Sequence, residues 1–313
     1  MSINRTTQLS RLACITVTFN PDLSLLQTQL AALAVDCPKV IVDNASSAEI
    51  VKQIETMINA TPNARLLRNS QNEGLGAAVN AGIGFAKANW PDARLALLLD
   101  QDSEPRPGSI ETLHNAFESL ETQGRRVGCV GPTLIDAVTG SQHGFHQCSR
   151  WRWKRVYPPA ESTVPVLCAN LNGSGTLVSI ELFQELGGLD ETLFIDHVDT
   201  EWSFRVLHAG YGLWGIPNAI FAHRMGQDSM RFWWFGWHLW PSRSPQRHYY
   251  LFRNAVTLMR KTYVPKVWKS WAVAKLVMTA TVAAIAGPQR SKQLINMTQG
   301  IVAGIRSGDK PHG

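Results

Sequence analysis

Acidic side chains nearly disappear from the last 90 residues of this 313-residue sequence: residues 224–313 hold 14 Lys and Arg but only Asp228 and Asp309. The first 223 residues lean the other way, with 22 Asp and Glu against 16 Lys and Arg. The net charge of +6 therefore combines an acidic body with a basic tail, and such a tail is expected to meet phospholipid, a phosphorylated acceptor or nucleic acid. No recognisable nucleic-acid-binding motif accompanies it, so nucleic acid is not expected as a partner. Cysteine is scarce as well: there are five, with no CxxC pair and no zinc-type spacing. That pattern argues against a disulfide framework and a zinc site, and reduced, mostly buried thiols in a cytoplasmic protein are expected. The N-terminal residues lack a long apolar core before a small-residue cleavage site, so no secretory signal is expected. The longest apolar run, residues 276–287, has 12 residues, short of the roughly 20 that cross a bilayer. GxGxxG is missing too, because Gly74 and Gly76 are followed by Val79, which sets aside a dinucleotide-dependent oxidoreductase.

What is present is an alternation. Residues 12–19 (LACITVTF) are rich in β-branched side chains and stop at Asn20-Pro21, as a buried strand opening into a loop does. Residues 39–42, 64–67, 94–99 and 127–130 read as further strands, with helices expected at 23–34, 48–59, 76–88 and 110–121. This predicts an α/β fold, a mixed, mainly parallel sheet flanked by helices. Ligands of such sheets bind outside the carboxyl ends of the strands. Asn20, Asp43, Asn44, Asn72, Asp100 and Asp102 fall there and predict one shared site. Further on, residues 141–159, rich in Trp, His and Arg, are expected to form a mobile or acceptor-side loop. Residues 178–186 and 200–209 are expected as helices, and the tail from about residue 247 as two or three more. Six of the eleven tryptophans lie beyond residue 230, in RFWWFGWHLWP and KVWKSW, beside Lys and Arg. Such a pattern suits either a membrane interface or an aromatic core. The expected division is a body, residues 1–246, and a basic, Trp-containing helical extension, residues 247–313, that associates with membrane.

Three segments carry chemistry. Asp100-Gln101-Asp102 leaves the apolar strand LALLL, so two carboxylates one residue apart can face a single Mg²⁺ or Mn²⁺. A bare DxD is also a common solvated turn; its place after a fully apolar strand argues for function. In NEGLGAAVNAG, residues 72–82, glycine lets backbone approach a ligand and the helix behind it offers free N–H groups, or the small residues serve close packing. FIDHVDTEW, residues 194–202, crowds Asp196, Asp199, Glu201 and His197 into six positions before a helix. Asp199 or Thr200 can cap that helix; equally, an ionised Asp there can accept the proton of an attacking hydroxyl. His223, after the strand-like residues 219–222, is either structural or a third metal ligand. Arg224, Arg247 and Arg253 are either cations for a diphosphate or solvated surface residues.

The sequence resembles the inverting family 2 glycosyltransferases of the GT-A (Rossmann-like) fold, and within them bacterial rhamnosyltransferases that use dTDP-L-rhamnose. The matching pieces are VTFNP (17–21), VDNAS (42–46), NEGLGAAVNAG (72–82), LLLDQDSEP (97–105), GSGTLVS (173–179), GGLDETLFIDHVDTEWSFR (187–205), AHRMG (222–226) and YYLFRNAVTLMRK (249–261). They run in the family's order over about four-fifths of the chain. The resemblance implies a metal-dependent transfer of L-rhamnose from dTDP-L-rhamnose to a saccharide, lipid-linked or free, in O-antigen or capsule synthesis at the inner membrane face. It implies Asp199 as catalytic base, with Asp196 and Glu201 as supporting acids; Val198 stands where many relatives carry Glu, and Glu201 where a second Asp is frequent. It implies Asp100, Asp102 and His223 as ligands of Mg²⁺ or Mn²⁺. Donor binding is expected from Thr18, Phe19, Asn20, Asp43, Asn72, Gly74, Asn80, Asp100, Gln101, Arg247 and Arg253. Transfer from another nucleotide sugar, a glycolipid acceptor, and a non-catalytic nucleotide-sugar-binding module are the alternatives.

Overall fold

The computed structural model describes residue 9 and residues 11–223, 229–233, 237–241 and 243–307. Strands β1 (Leu12–Thr18), β2 (Lys39–Asp43), β3 (Ala64–Arg68) and β4 (Leu95–Asp100) run parallel in the order β3-β2-β1-β4. Helices α1 (Leu23–Ala32), α2 (Ala48–Asn59) and α3 (Leu75–Asn89) make the crossovers. Side chains alternate across this sheet, as the pleat requires. Ala13 and Ile15 of β1 with Ala96 and Leu98 of β4 face a core shared with Ala78, Val79 and Ile83 of α3. Leu12 and Cys14 with Leu95, Leu97 and Leu99 face the other side, where α4 (Ser109–Thr122) adds Leu113, Phe117 and Leu120. The register pairs Thr18 with Asp43 and Val17 with Asp100, which brings three strand ends to one edge.

The second half is built from β5 (Glu104–Pro105), β6 (Val127–Asp136), β7 (Gln142–His143), β8 (Phe145–Cys148), β9 (Trp153–Val156), β10 (Val166–Cys168), β11 (Thr176–Ser179) and β12 (Gly212–His223), with α5 (Ile180–Glu185) and α6 (Val198–His208). From β4 the sheet continues through β11, β6, β12 and β10; β11 is antiparallel to both its neighbours and β12 is parallel to β6. The expected helix over 178–186 begins two residues late, at Ile180, because Val178 is claimed by the sheet before Ser179 caps α5. The expected loop at 141–159 contains the antiparallel hairpin β8–β9, held by the Trp153 ring 6.1 Å from that of Phe204. Residues 219–222 belong to a 12-residue strand rather than a short run.

Past β12, strands β13 (Ser229–Trp233) and β14 (Trp237–Pro241) pair antiparallel. Arg224 and Trp234 lie outside the described residues. Three helices follow: α7 (Pro245–Arg260), α8 (Lys266–Ala286) and α9 (Arg290–Arg306). Gly300 and Gly304 of α9 lie so close to α7 that a Cβ there would sit 2.4 Å from the Tyr249 carbonyl oxygen and 2.5 Å from that of Arg253. The 12-residue apolar run is part of a 21-residue helix, α8, which is long and apolar enough by length and composition to cross a membrane, with a mean hydropathy of 1.3. One face of α8 buries Trp268, Ala272, Thr279 and Val282, while Val273, Val277, Met278 and Ile285 are exposed.

Glu201 ties this helical end to the sheet domain. It is 0% exposed and accepts from Arg205 Nε at 3.0 Å and Nη2 at 2.7 Å, one turn along α6, and from the Tyr263 hydroxyl. Removing the carboxylate would leave a buried guanidinium unpaired, which costs about 3 kcal/mol or more. Urea denaturation of Glu201→Ala should show a loss of that size, and a loss below ~1 kcal/mol would rule out the anchoring role.

Candidate active site

Asp100 ends β4 and the chain turns at once. Its backbone N–H donates to Ser103 Oγ at 2.9 Å. The turn is braced from below by Gln29 of α1, which is fully buried. Gln29 Nε2 donates to the carbonyls of Asp100 (2.7 Å) and Ser103 (2.8 Å), while its Oε1 accepts from Thr16 Oγ1 (2.8 Å). Directly after the turn, β5 pairs with the end of β12, Ala222 opposite Glu104. That pairing delivers His223: its Nδ1 lies 3.1 Å from Asp102 Oδ1 and its Nε2 lies 3.6 Å from Asp100 Oδ2.

One ligand atom from each of Asp100, Asp102 and His223 lies within 4.8 Å of the others. Nδ1 of His223 is buried and, for all its closeness to Asp102, makes no aligned hydrogen bond. Two carboxylates and an imidazole nitrogen left without a proton partner make a donor set suited to Mg²⁺ or Mn²⁺. Burial raises the Asp100 carboxyl, and Asp102 pushes it the same way against His223 and Arg247. Burial alone would lower His223, but Asp102, Asp100 and Asp136 together outweigh it and raise it. Both shifts express one shortage of positive charge at the cluster.

Beside it, Asp43 is almost fully buried and folds two loops together. Its Oδ1 accepts from Thr18 Oγ1 at 3.0 Å and its Oδ2 from the Ser46 N–H at 2.9 Å. Asn20, at φ +45°, donates its N–H to Ser46 Oγ (2.7 Å) and accepts from the Ser47 N–H (2.9 Å). Phe19 donates its N–H to Gln101 Oε1 at 2.8 Å, joining this loop to the Asp100 turn, and leaves its ring exposed. Asn72 accepts from Asn44 Nδ2 at 2.9 Å and from the Gly74 N–H at 3.0 Å. Gly74, at φ +87°, sits against Phe194, where a Cβ would come within 2.7 Å of backbone. The packing role of this glycine is therefore visible, and it joins the first half of the sheet to the segment before α6. Asn80 has the same joining function: its amide donates to the Leu189 carbonyl (3.0 Å) and to Glu191 (2.8 Å) and accepts from the Leu189 N–H (2.8 Å).

The segment before α6 is strained. Phe194, Asp196 and His197 all have positive φ, at 63°, 60° and 65°, a costly conformation for residues with a Cβ. Asn254 of α7 holds it: Nδ2 donates to the carbonyls of Leu193 (2.7 Å), Ile195 (2.7 Å) and Asp196 (2.9 Å). Arg253 Nη2 adds bonds to the carbonyls of Thr192 (2.6 Å) and Leu193 (2.9 Å), so this cation is engaged in shaping the loop. Asp199 emerges in the first turn of α6 and lines the same cleft as Asp100, with Gly173 and Trp202 between them. Burial raises its carboxyl to about 6, and Asp100 and Asp196 add to the effect against backbone bonds from Thr200 and Gly173. Asp196 is paired with Arg247, Nε to Oδ2 at 3.2 Å. Glu201, fully buried against Arg205 and Tyr263, presents no carboxylate to the cleft. Gln29 and Asn254 were not identified from the sequence, where each is one amide among apolar helix positions.

A model of glycosyl transferase family 2 matches residues 14–185, more than half of the chain. The chain belongs to glycosyl transferase family 2. This transferase is 30% identical over 257 residues to a dTDP-rhamnosyl transferase of Shigella flexneri, RfbF, covering 82% of each chain. It is 27% identical over 253 residues to an N-acetylglucosaminyl-diphospho-decaprenol L-rhamnosyltransferase of Mycobacterium tuberculosis, covering 70% of this chain and 78% of that one. Among solved structures it is similar to GalNAc-T7 with UDP, GalNAc and Mn²⁺, at a TM-score of 0.59 and 19% identity, covering 92% of this chain and 54% of the other. It thus spans about half the length of GalNAc-T7. A mannosyltransferase of Pyrobaculum calidifontis with GDP-Man and Mn²⁺ gives a TM-score of 0.52 at 16% identity over 94% of this chain and 86% of that one. The two structures establish the GT-A fold of the transferase. Asp196, Asp199 and His223 lie beyond the segment matched by the family model.

If Asp100, Asp102 and His223 hold one ion, losing the imidazole should weaken Mn²⁺ binding by about tenfold or more, and Gln29→Ala by less. Titration calorimetry of His223→Ala and of the native transferase measures this; equal affinities would remove His223 from the ligand set.

Proposed function

We propose that this transferase moves L-rhamnose from dTDP-L-rhamnose to a hydroxyl of a lipid-linked saccharide, in the assembly of a cell-surface polysaccharide such as O-antigen or capsule. The observation that carries the reading is the shared cleft: Asp100 and Asp199 border one space, and Asp100 stands in it with Asp102 and His223 at its side. The rhamnosyltransferase names of two relatives support the donor, and the lipid diphosphate in one of those names supports the acceptor class.

In this reading Asp100, Asp102 and His223 hold Mg²⁺ or Mn²⁺, which would supply positive charge to the departing diphosphate. Arg247, close enough to act on Asp100, adds a guanidinium suited to phosphate oxygens. The Phe19–Asn20 loop and Asp43 shape the pocket for the nucleotide. Asp199 takes the proton of the acceptor hydroxyl as that oxygen attacks the anomeric carbon from the face opposite the diphosphate. One displacement inverts the centre, so a β-linked donor gives an α-L-rhamnoside, with no covalent sugar–enzyme intermediate.

The location we propose is peripheral, on the inner face of the cell membrane. The exposed apolar positions Val273, Val277 and Met278 of α8 and Ile295, Val302 and Ile305 of α9 support it, as does the lack of any acid among the six basic residues of 266–306. A half-embedded amphipathic surface with basic flanks suits anionic lipid.

Incubation with Mn²⁺ and a panel of dTDP-, UDP- and GDP-sugars tests the donor. Release of dTDP from dTDP-L-rhamnose should exceed the others, and equal or greater turnover of a UDP-sugar would reject the rhamnose assignment. Asp199→Asn should lose transfer while keeping nucleotide affinity. Because burial raises this carboxyl, the folded protein takes up a proton between about pH 4 and 6, and the ionised form opposes folding above that window. The amide variant should therefore be no less stable than the native protein at pH 7.5, which separates lost chemistry from lost fold. For the native enzyme kcat/KM should fall as pH drops through about 6. An acid limb unchanged in Asp199→Glu and native-like turnover in Asp199→Asn would reject the base.

A further inference from the structure

Helix α8 packs against the start of α6, two residues before the base. Its Trp268 ring stands perpendicular to that of His197, 5.6 Å away, at the start of α6. One turn on, Trp271 lies 6.0 Å from Trp153 of the β8–β9 hairpin, and Lys275 Nζ is 4.8 Å from the Trp271 ring centre. Arg155, two residues after Trp153, donates from Nε to His146 Nε2 at 2.9 Å. Arg243 precedes α7, and its carbonyl accepts from Gln293 Nε2 of α9 at 2.9 Å. The charges of Asp196 and Asp199 reach Lys275, which flanks the Trp271–Trp153 contact with Arg155 and, with Arg243, whose charge also reaches it, makes three cations from three elements. None is within ion-pair distance of a carboxylate among the described residues, and Asp196, the acid nearest in charge to Arg243, is already paired with Arg247. Burial lowers Lys275 to about 8, with Arg243 and Arg155 pressing it further down and Asp196 and Asp199 pulling it up. Lys275 and Arg243 are half-buried and Arg155 is exposed, and like charges so gathered are unfavourable unless an anion joins them.

We propose that Lys275, Arg243 and Arg155, with the indole of Trp271, seat the diphosphate of a lipid-linked acceptor. This rests on the acceptor class argued above and assigns that class a place. Two guanidinium forks and an ammonium match a diphosphate's oxygens. The lipid would leave along the exposed apolar positions Val273, Val277 and Met278 of the same helix. The sugar would point toward Asp199, whose charge Lys275 already senses. The donor's diphosphate belongs to the other side of the acids, at Asp100, Asp102 and His223.

Farnesyl diphosphate is a suitable probe, titrated against the whole protein in EDTA with tryptophan fluorescence as readout. The native protein should bind it, and Lys275→Gln/Arg243→Gln should bind it about tenfold or more weakly, while affinity for dTDP with Mn²⁺ changes less than about twofold. Lys275→Arg should retain binding, which a merely structural lysine would not require. Farnesol should bind far more weakly than farnesyl diphosphate, and inorganic pyrophosphate should compete. Equal affinity of native and variant proteins for the probe, an equal loss of dTDP affinity in the variant, or farnesol binding as tightly as its diphosphate would each overturn the assignment. Failure of dTDP-L-rhamnose in the donor panel, with the probe still bound through these residues, would instead reject the donor reading and leave this seat in place.

Discussion

Like charge crowded into a half-closed cleft governs this molecule. Asp100 and Asp199 reach one space from two separate parts of the chain, Asp102 stands beside Asp100, and Asp100 raises the affinity of Asp199 for a proton. Carboxylates so placed require positive charge, and the surroundings supply it in graded form: His223 against the Asp100 turn, Arg247 against Asp196, and Lys275 sensed from α8. In the proposed function a divalent ion and a substrate diphosphate would complete the balance without asking the protein to move its acids, and the same crowding would keep Asp199 basic enough to take a proton.

Backbone geometry brings these groups together. Parallel register sets the ends of β1, β2 and β4 level, so Thr18, Asp43 and Asp100 share an edge. The two-residue strand β5 then draws the end of β12, and with it His223, against the turn. On the opposite wall three residues of positive φ place Asp199, and α7 stabilises that unfavourable backbone through Asn254 and Arg253. The helices proposed to meet the membrane are in this way coupled to the loop that positions the base. Helix α9 packs closely on α7, with glycines at the contact.

Much of the first hundred residues was legible in the sequence because β1, β2 and β4, buried on both faces, are mostly apolar runs, and each parallel strand ends at or within two residues of Asn or Asp. The DxD turn and the acids of FIDHVDTEW stood out by density. Three features did not. Strand β11 exists because the distant strands β4 and β6 pair with it, and the β8–β9 hairpin is seated by Trp153 on the distant Phe204, neither of which a local pattern encodes. Gln29 and Asn254 are ordinary amides until the carbonyls they bind are placed beside them in space. Glu201 was read as a supporting acid, yet it is fully buried on Arg205, four residues along the same helix. That i, i+4 pair was available in the sequence and favoured the structural role.

The central claim is that one cleft holds the diphosphate and the base together. Crystals grown with Mn²⁺ and dTDP test it most directly. The ion should be bound by Asp100, Asp102 and His223 and lie against the diphosphate, with the Asp199 carboxylate facing the open end where the sugar would sit. A nucleotide bound elsewhere, or one whose terminal phosphate points away from Asp199, would contradict it.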